Sequence, residues 1–236
     1  MDFKTEIKEV FSNYNIELND DQIAKFEKYF HLINEWNEKF NLTTILEQRD
    51  VIIKHFLDSC LVVDSLKENS NLIDIGAGAG FPSIPIKILR PDITVTMVDG
   101  SNKRVMFLQE CIKELGLNNI DAIHERCEIL ANKPEYRERY EYCVARAVAE
   151  TNILAEYCLP FVKLFGYMIA YKSKNVNEEL ERAKNAIEIL GGNLTDIKNH
   201  YIEEINAERN LVFIKKKFKT PVKYPRGQNK PRLMPL

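Results

Sequence analysis

From residue 71 onward the sequence breaks into short apolar runs separated by amphipathic stretches, and that alternation limits the fold more than any other feature. "LIDIG", "ITVTMVD", "IDAIHE", "YCVARAVA" and "GYMIAYK" read as five strands. Helical patterns lie near 86–89, 103–115, 153–164 and 176–190. Gly116 is placed to end the second, and Gly191 and Gly192 the last. Strands separated by helices need crossover connections, so a parallel sheet covered on both faces is expected. Two further strands, near 197–205 and 210–215, predict an antiparallel pair at the sheet edge.

Residues 1–66 follow a different rhythm and read as a helical extension. Asn19 and Asp20 are placed to cap a helix whose apolar stripe is Ile23, Phe26, Phe30, Ile33, Trp36 and Phe40. That stripe, with Trp36 and Phe40, is expected in the core. "NLTTILEQRD" interrupts it, and a second helix is predicted through Ile52, Phe56, Cys60 and Val63. The expected organisation is an extension (1–66), a sheet domain (67–217) and a tail (218–236).

"IDIGAGAGFPSIPI" joins the first strand to its helix, at the end of the sheet where such folds bind ligands. A nucleotide triphosphate loop needs GxxxxGK[ST], and no lysine follows these glycines until Lys87. A dinucleotide needs GxGxxG; here the spacing is GxGxG, and Asp74 stands where a pyrophosphate would be repelled. S-adenosylmethionine carries an ammonium and a sulfonium and no phosphate. A carboxylate at Asp74 suits its positive charge, and Gly76, Gly78 and Gly80 let the turn approach it closely. Asp99 ends the second strand, 19 residues past Gly80, where an acid accepts from ribose hydroxyls. Pro82 suits a helix start.

No apolar stretch is long enough to span a membrane; 161–171 is short and holds Lys163. The first residues do not read as a secretory signal. Five scattered cysteines without a CxxC pair argue for reduced thiols in a cytoplasm and against a metal site. Net charge is −2, but residues 209–236 hold nine Lys/Arg and no Asp/Glu, leaving the body with 24 basic against 35 acidic side chains. A basic end on an acidic body points either to a polyanionic partner or to a solubilising tail.

"NLTTI", "HFLDS", "DIGAGAGFPSIPIKI", "VDGSNKRVMFL", "RCE", "ARAVA" and "ERNLVFIKK" then occur in a telling order. Over nearly its whole length the chain resembles the bacterial small-subunit ribosomal RNA guanine-N7 methyltransferases, also called glucose-inhibited division protein B. The resemblance implies a Rossmann-like class I methyltransferase fold, S-adenosylmethionine as donor and a guanine of 16S rRNA as acceptor. By motif it also implies cofactor contacts at Gly76, Phe81, Cys127, Glu128 and Arg146. The family usually has FPG where this chain has Phe81-Pro82-Ser83, often KG at Lys172-Ser173, and commonly a glycine at Asn229.

Guanine N7 presents an exposed lone pair, so positioning alone serves methyl transfer and no general base is required. The chain lacks a D/N-PP-Y/F motif for an exocyclic amine and a Pro-Cys pair for attack on a pyrimidine. Ribose and small-molecule acceptors stay open, as does a non-catalytic RNA-binding role. Arg146 is read as an anchor for the methionine carboxylate, an RNA contact or a structural ion pair. Lys103, Arg126, Arg209 and Arg226 are the candidate RNA contacts, the last beside Phe218 and Tyr224, aromatics suited to stacking on bases. His55 and Asp58, three apart on a helical face, are expected to bond one another. Deleting 219–236 is expected to weaken RNA binding and spare cofactor binding. The protein is expected to act as a monomer.

Overall fold

The computed structural model describes residues 1–174 and 176–236. Helices α1 (Phe3–Ser12) and α2 (Asp20–Asn37) open the chain, and α3 (Gln48–Val51) runs through a π-helical turn (Ile52–Leu57) into α4 (Asp58–Cys60). The sheet region continues as β1 (Asn71–Ile75), α5 (Ser83–Leu89), β2 (Thr94–Asp99), α6 (Asn102–Glu114), β3 (Ile120–His124), α7 (Cys127–Leu130), β4 (Tyr140–Arg146), α8 (Thr151–Cys158), β5 (Val162–Lys172), α9 (Val176–Ile189), β6 (Gly192–Ile202) and β7 (Ala207–Lys216). A short α10 (Lys230–Leu233) lies near the end of the chain.

The seven strands form one sheet in the order β3-β2-β1-β4-β5-β7-β6. β1 to β5 are parallel, while β7 runs antiparallel between β5 and β6. Winding reverses between β1 and β4, and there the strand tips leave a crevice for a ligand.

Strand alternation sorts the core into two layers. Leu72, Val144, Ile169 and Phe213 face a cluster built with Phe26, Phe56, Ile84 and Phe107, so the extension and α5 and α6 share one face. Ile73, Ala145, Ala170 and Ile214 face Leu154, Leu180 and Ile187 of α8 and α9. Side chains two apart on a strand share a face. Asp74 therefore points with Leu72, and Arg146 with Val144, toward the helical extension.

Several sequence-based boundaries differ for identifiable reasons. The helix expected over 153–164 ends at Cys158 because Pro160 cannot continue it, and β5 already begins at Val162. Asn19 caps α2 with a reciprocal bond to Gln22, as expected. That helix stops at Asn37, whose Oδ1 accepts from the N–H groups of Leu42 and Thr43, so Phe40 lies past its end and is only half-buried. Trp36 too is only partly buried, against the core's edge. β6 starts at Gly192, well before the expected strand, because its edge position leaves most of its side chains exposed and unpatterned.

Candidate functional site

The turn after β1 is shaped by its own backbone. The N–H groups of Gly76 and Ala77 both donate to Val98 O, at 2.8 and 3.1 Å, tying the turn to β2. Gly80 has φ +92°, and a Cβ there would sit 2.5 Å from Ile84 Cδ1 and 2.7 Å from the Tyr29 hydroxyl. No side chain fits at that point. Tyr29 reaches from α2 to donate to Ala79 O, so the extension holds the turn from behind.

In front of the turn lies a cleft of about 330 Å³ at the tips of β1, β2 and β3. Ile75, Val98 and Val148 give it apolar walls, and Asp99, Glu125 and Glu128 line it with acids. Asp99 is pinned by backbone: Oδ2 accepts from Gly78 N–H at 2.9 Å and Oδ1 from Ser101 N–H at 2.8 Å. Each oxygen keeps a lone pair for a further donor. Glu128 is buried, and its Oε1 lies 2.7 Å from Arg126 without the alignment of a hydrogen bond. A buried acceptor in that condition favours a ligand that brings a donor. Adenosine supplies such donors in its amine and ribose hydroxyls, and the acids Asp99, Glu125 and Glu128 make the cleft a poor place for a phosphate. The residues present thus fit S-adenosylmethionine.

A second cavity of about 510 Å³ opens at the tips of β4 and β5. Its hub is Arg146. One Nη donates to Asp58 Oδ2 at 2.8 Å and to Lys54 O at 3.1 Å; the other donates to His55 Nδ1 at 3.1 Å. Because arginine only donates, His55 Nδ1 accepts, and the ring proton sits on Nε2, 2.9 Å from Thr43 Oγ1. Burial, reinforced by the Arg146 charge, pushes the His55 pKa down to about 3. Arg209 Nε adds a second cation 3.1 Å from Asp58 Oδ1. Across the cavity Lys172 meets Glu179 at 2.5 Å, and the same carboxylate accepts from Thr151. Segment 146–149 separates the two spaces, with Val148 packed against Gly76.

The expected site residues divide accordingly. Gly76, Asp99, Arg126, Cys127 and Glu128 line the first cleft. Gly78 acts through Asp99, and Gly80 through the shape of the turn. Asp74 is fully buried and faces α5, where Ser83 donates to its Oδ2 at 2.7 Å; its other oxygen has no partner. Burial raises its pKa to about 7, against the pull of the Ser83 bond. Phe81 also turns away from the cleft, stacking on His55 with ring centroids 4.3 Å apart while Arg146 sits 5.0 Å from its ring centre. Arg146 and Arg209 meet in the second cavity rather than the first. His55 and Asp58 do not bond one another; Arg146 joins them.

Of the candidate RNA contacts, Lys103 is exposed, resting over the Phe40 ring. Arg126 is drawn to Glu128. Arg226 is clamped on buried Glu156 and is not a free cation. The tail does not stand apart either, since Asn229 and Arg232 line the first cleft beside Tyr157. That placement argues against a tail deletion that spares the cofactor site. Tyr157 and Arg232 carry no motif that marks them; Val148 lies within ARAVA without being singled out, and Asn229 is marked only as a departure from glycine.

Comparison with known proteins decides the family. The family model described as rRNA small subunit methyltransferase G matches residues 22–212. The ribosomal RNA small subunit methyltransferase G of Desulforamulus reducens is 48% identical over 237 residues, covering 100% of this chain and 99% of that one. Its counterpart from Alkaliphilus oremlandii is 44% identical, with 100% of both chains covered. The chain belongs to the rRNA small subunit methyltransferase G family. The structure of M. jannaschii TYW2 in complex with AdoMet aligns with a TM-score of 0.54 at 19% identity, over 74% of this chain and 80% of that one, a likeness of fold alone. The family's class I methyltransferase fold is thus present here, a mostly parallel seven-stranded sheet with its antiparallel pair at one edge.

Proposed function

We infer that the protein transfers a methyl group from S-adenosylmethionine to N7 of a guanine in 16S rRNA. The observation that carries this reading is an acid-lined cleft with Asp99 pinned at its floor, in a chain matching small-subunit methyltransferases end to end. Asp99 would hold the ribose, with Cys127 and Glu128 beside the adenine. When bound, the donor supplies an electrophilic methyl carbon on a cationic sulfur. N7 would take that methyl with its own lone pair, leaving the carbon–sulfur electrons on sulfur, so no residue would be needed to remove a proton. The protein's task is then alignment.

The second cavity suits the acceptor base. Asp58 and Glu179, paired here with Arg146, Arg209 and Lys172, would turn to the ring N–H and amino donors of guanine and free Arg146 and Lys172 for its carbonyl. The methylated base is cationic, and acids facing those cations keep the cavity from repelling it. Lys103 would follow the phosphates. The same reading places the protein in the cytoplasm as a monomer. The five free cysteines accord with a reducing compartment.

The test is incubation of unmethylated small subunits with methyl-labelled donor, followed by mapping of the modified base. Label at a single guanine N7 is expected. Label on ribose, on an exocyclic amine or on no RNA at all would overturn the reading.

A further inference from the structure

The last twenty residues climb the molecule from the bottom of the sheet to the donor cleft. Three anchors seat them. At the base, Lys216 is fully buried, donating to Leu159 O at 2.6 Å and to Thr220, with Glu138 at 3.4 Å. Next, Arg137 donates to three carbonyls of this stretch, Thr220 and Tyr224 at 3.0 Å and Pro221 at 3.3 Å, while the Tyr224 ring enters the core. Finally, Arg226 makes a fork with Glu156 of α8, its Nε at 2.9 Å and its Nη2 at 2.6 Å; Glu156 is 1% exposed.

Beyond the third anchor the chain reverses. Gln228 and Asn229 are both left-handed, at φ +58° and +59°, and α10 comes next. Asparagine tolerates that conformation, and unlike glycine it carries an amide. The Tyr157 hydroxyl lies 3.5 Å from the Asn229 Oδ1. One turn on, Arg232 donates to Val148 O at 3.0 Å, touching the partition between the two cavities. Asn229 and Arg232 both line the cleft that holds Asp99 and Glu128.

A buried ion pair such as Arg226–Glu156 is a poor device for stability alone, because both groups lose water to form it. It is a good device for fixing the course of the chain between Gly227 and Met234. We propose that residues 224–234 are a strap forming the outer wall of the donor cleft, and that Asn229 and Arg232 are cofactor-binding residues held in place by the Arg226–Glu156 fork. The ligand class is the phosphate-free adenosine donor and its demethylated product, so the proposal rests on the reading above. Asn229 brings both a donor and an acceptor to the cleft; Arg232 brings charged donors and holds Val148 over the glycine turn.

The probe is S-adenosylhomocysteine, titrated calorimetrically into the full chain, Arg232→Ala, Asn229→Gly and the doubly apolar variant Arg226→Met with Glu156→Leu. The double variant removes the fork without leaving a buried charge unpaired. Loss of a charged hydrogen bond weakens binding about tenfold, the size expected for Arg232→Ala. Asn229→Gly should fall by a smaller factor and the double variant by at least as much as Arg232→Ala. A purely structural strap would lower the unliganded melting temperature and leave the ligand-induced rise in melting temperature intact; a binding strap shrinks that rise. By reciprocity the ligand should also slow tryptic cleavage after Arg232. Unchanged affinity in all three variants, with no protection from trypsin, would overturn the proposal. A full-length chain that takes up no S-adenosylhomocysteine would instead overturn the donor reading itself.

Discussion

The cleft at β1–β3 and the cavity at β4–β5 sit side by side, yet they are built from different materials. The first is made of backbone: a glycine turn tied to Val98, and an acid held by two main-chain N–H groups. The second is made of long side chains that neutralise one another, with Arg146 and Arg209 on Asp58 and Lys172 on Glu179. A backbone site is preorganised by local geometry and suits a ligand of fixed shape. A side-chain lattice depends on several segments arriving together, and it suits a charged macromolecular substrate that brings its own field.

The largest effect separating the two should come from the lattice. Arg146→Met leaves Asp58 buried with a single cation, and breaking such a pair costs about 3 kcal/mol of unfolding free energy in urea titration. A loss under about 1 kcal/mol, the range of exposed ion pairs, would show that the cavity behaves as open surface. Asp99→Ala should cost about 1 kcal/mol, because the Gly78 and Ser101 N–H groups lose their acceptor, and should weaken S-adenosylhomocysteine binding about 100-fold by calorimetry. Comparable binding in that variant would remove Asp99 from the donor site.

Asp74 sharpens the comparison through pH. Its folded pKa, about 7, lies above the ordinary carboxylate value, so neutral Asp74 fits the fold and ionised Asp74 strains it. Its stabilising contribution is complete below about pH 4 and is lost as pH rises toward 7. The melting temperature of Asp74→Asn relative to the wild type should therefore rise between pH 4 and pH 8. A flat difference would mean that the carboxylate is solvated or paired. Tyr29→Phe, which removes the support behind the glycine turn, should cost about 1 kcal/mol. The smallest effect is a null one. His55, with its pKa near 3, should show no titration in its ring NMR signals between pH 5 and pH 8. A transition in that window would mean that burial and the Arg146 charge do not hold the ring neutral.

The same contrast explains why one site is legible in the sequence and the other is not. The first cleft is legible because the strand, the glycine turn and Asp99 at the next strand tip are close in sequence, while Cys127 and Glu128 come from the family resemblance. Asp74 misleads by its proximity to the turn; strand alternation with Leu72 sends it to the opposite face. Phe81 and Arg146 obey the same logic, since both turn toward the helical layer. The second cavity joins Asp58, Arg146, Glu179 and Arg209, and no local pattern encodes such distant encounters. The strap is hidden for a related reason. Its positive charge suggests a nucleic-acid contact, whereas Lys216 and Arg226 are consumed by Glu138 and Glu156.

One ring has consequences for how this protein can be recombined. Phe81 belongs by sequence to the glycine turn, but its neighbours are Tyr29, His55 and Phe56 from the first third of the chain and Arg146 from β4. A chimera joined near residue 66, where the composition changes, would part that stack between two parents. Exchange of the helical region between homologues requires the turn and its aromatic residue to travel as one cassette.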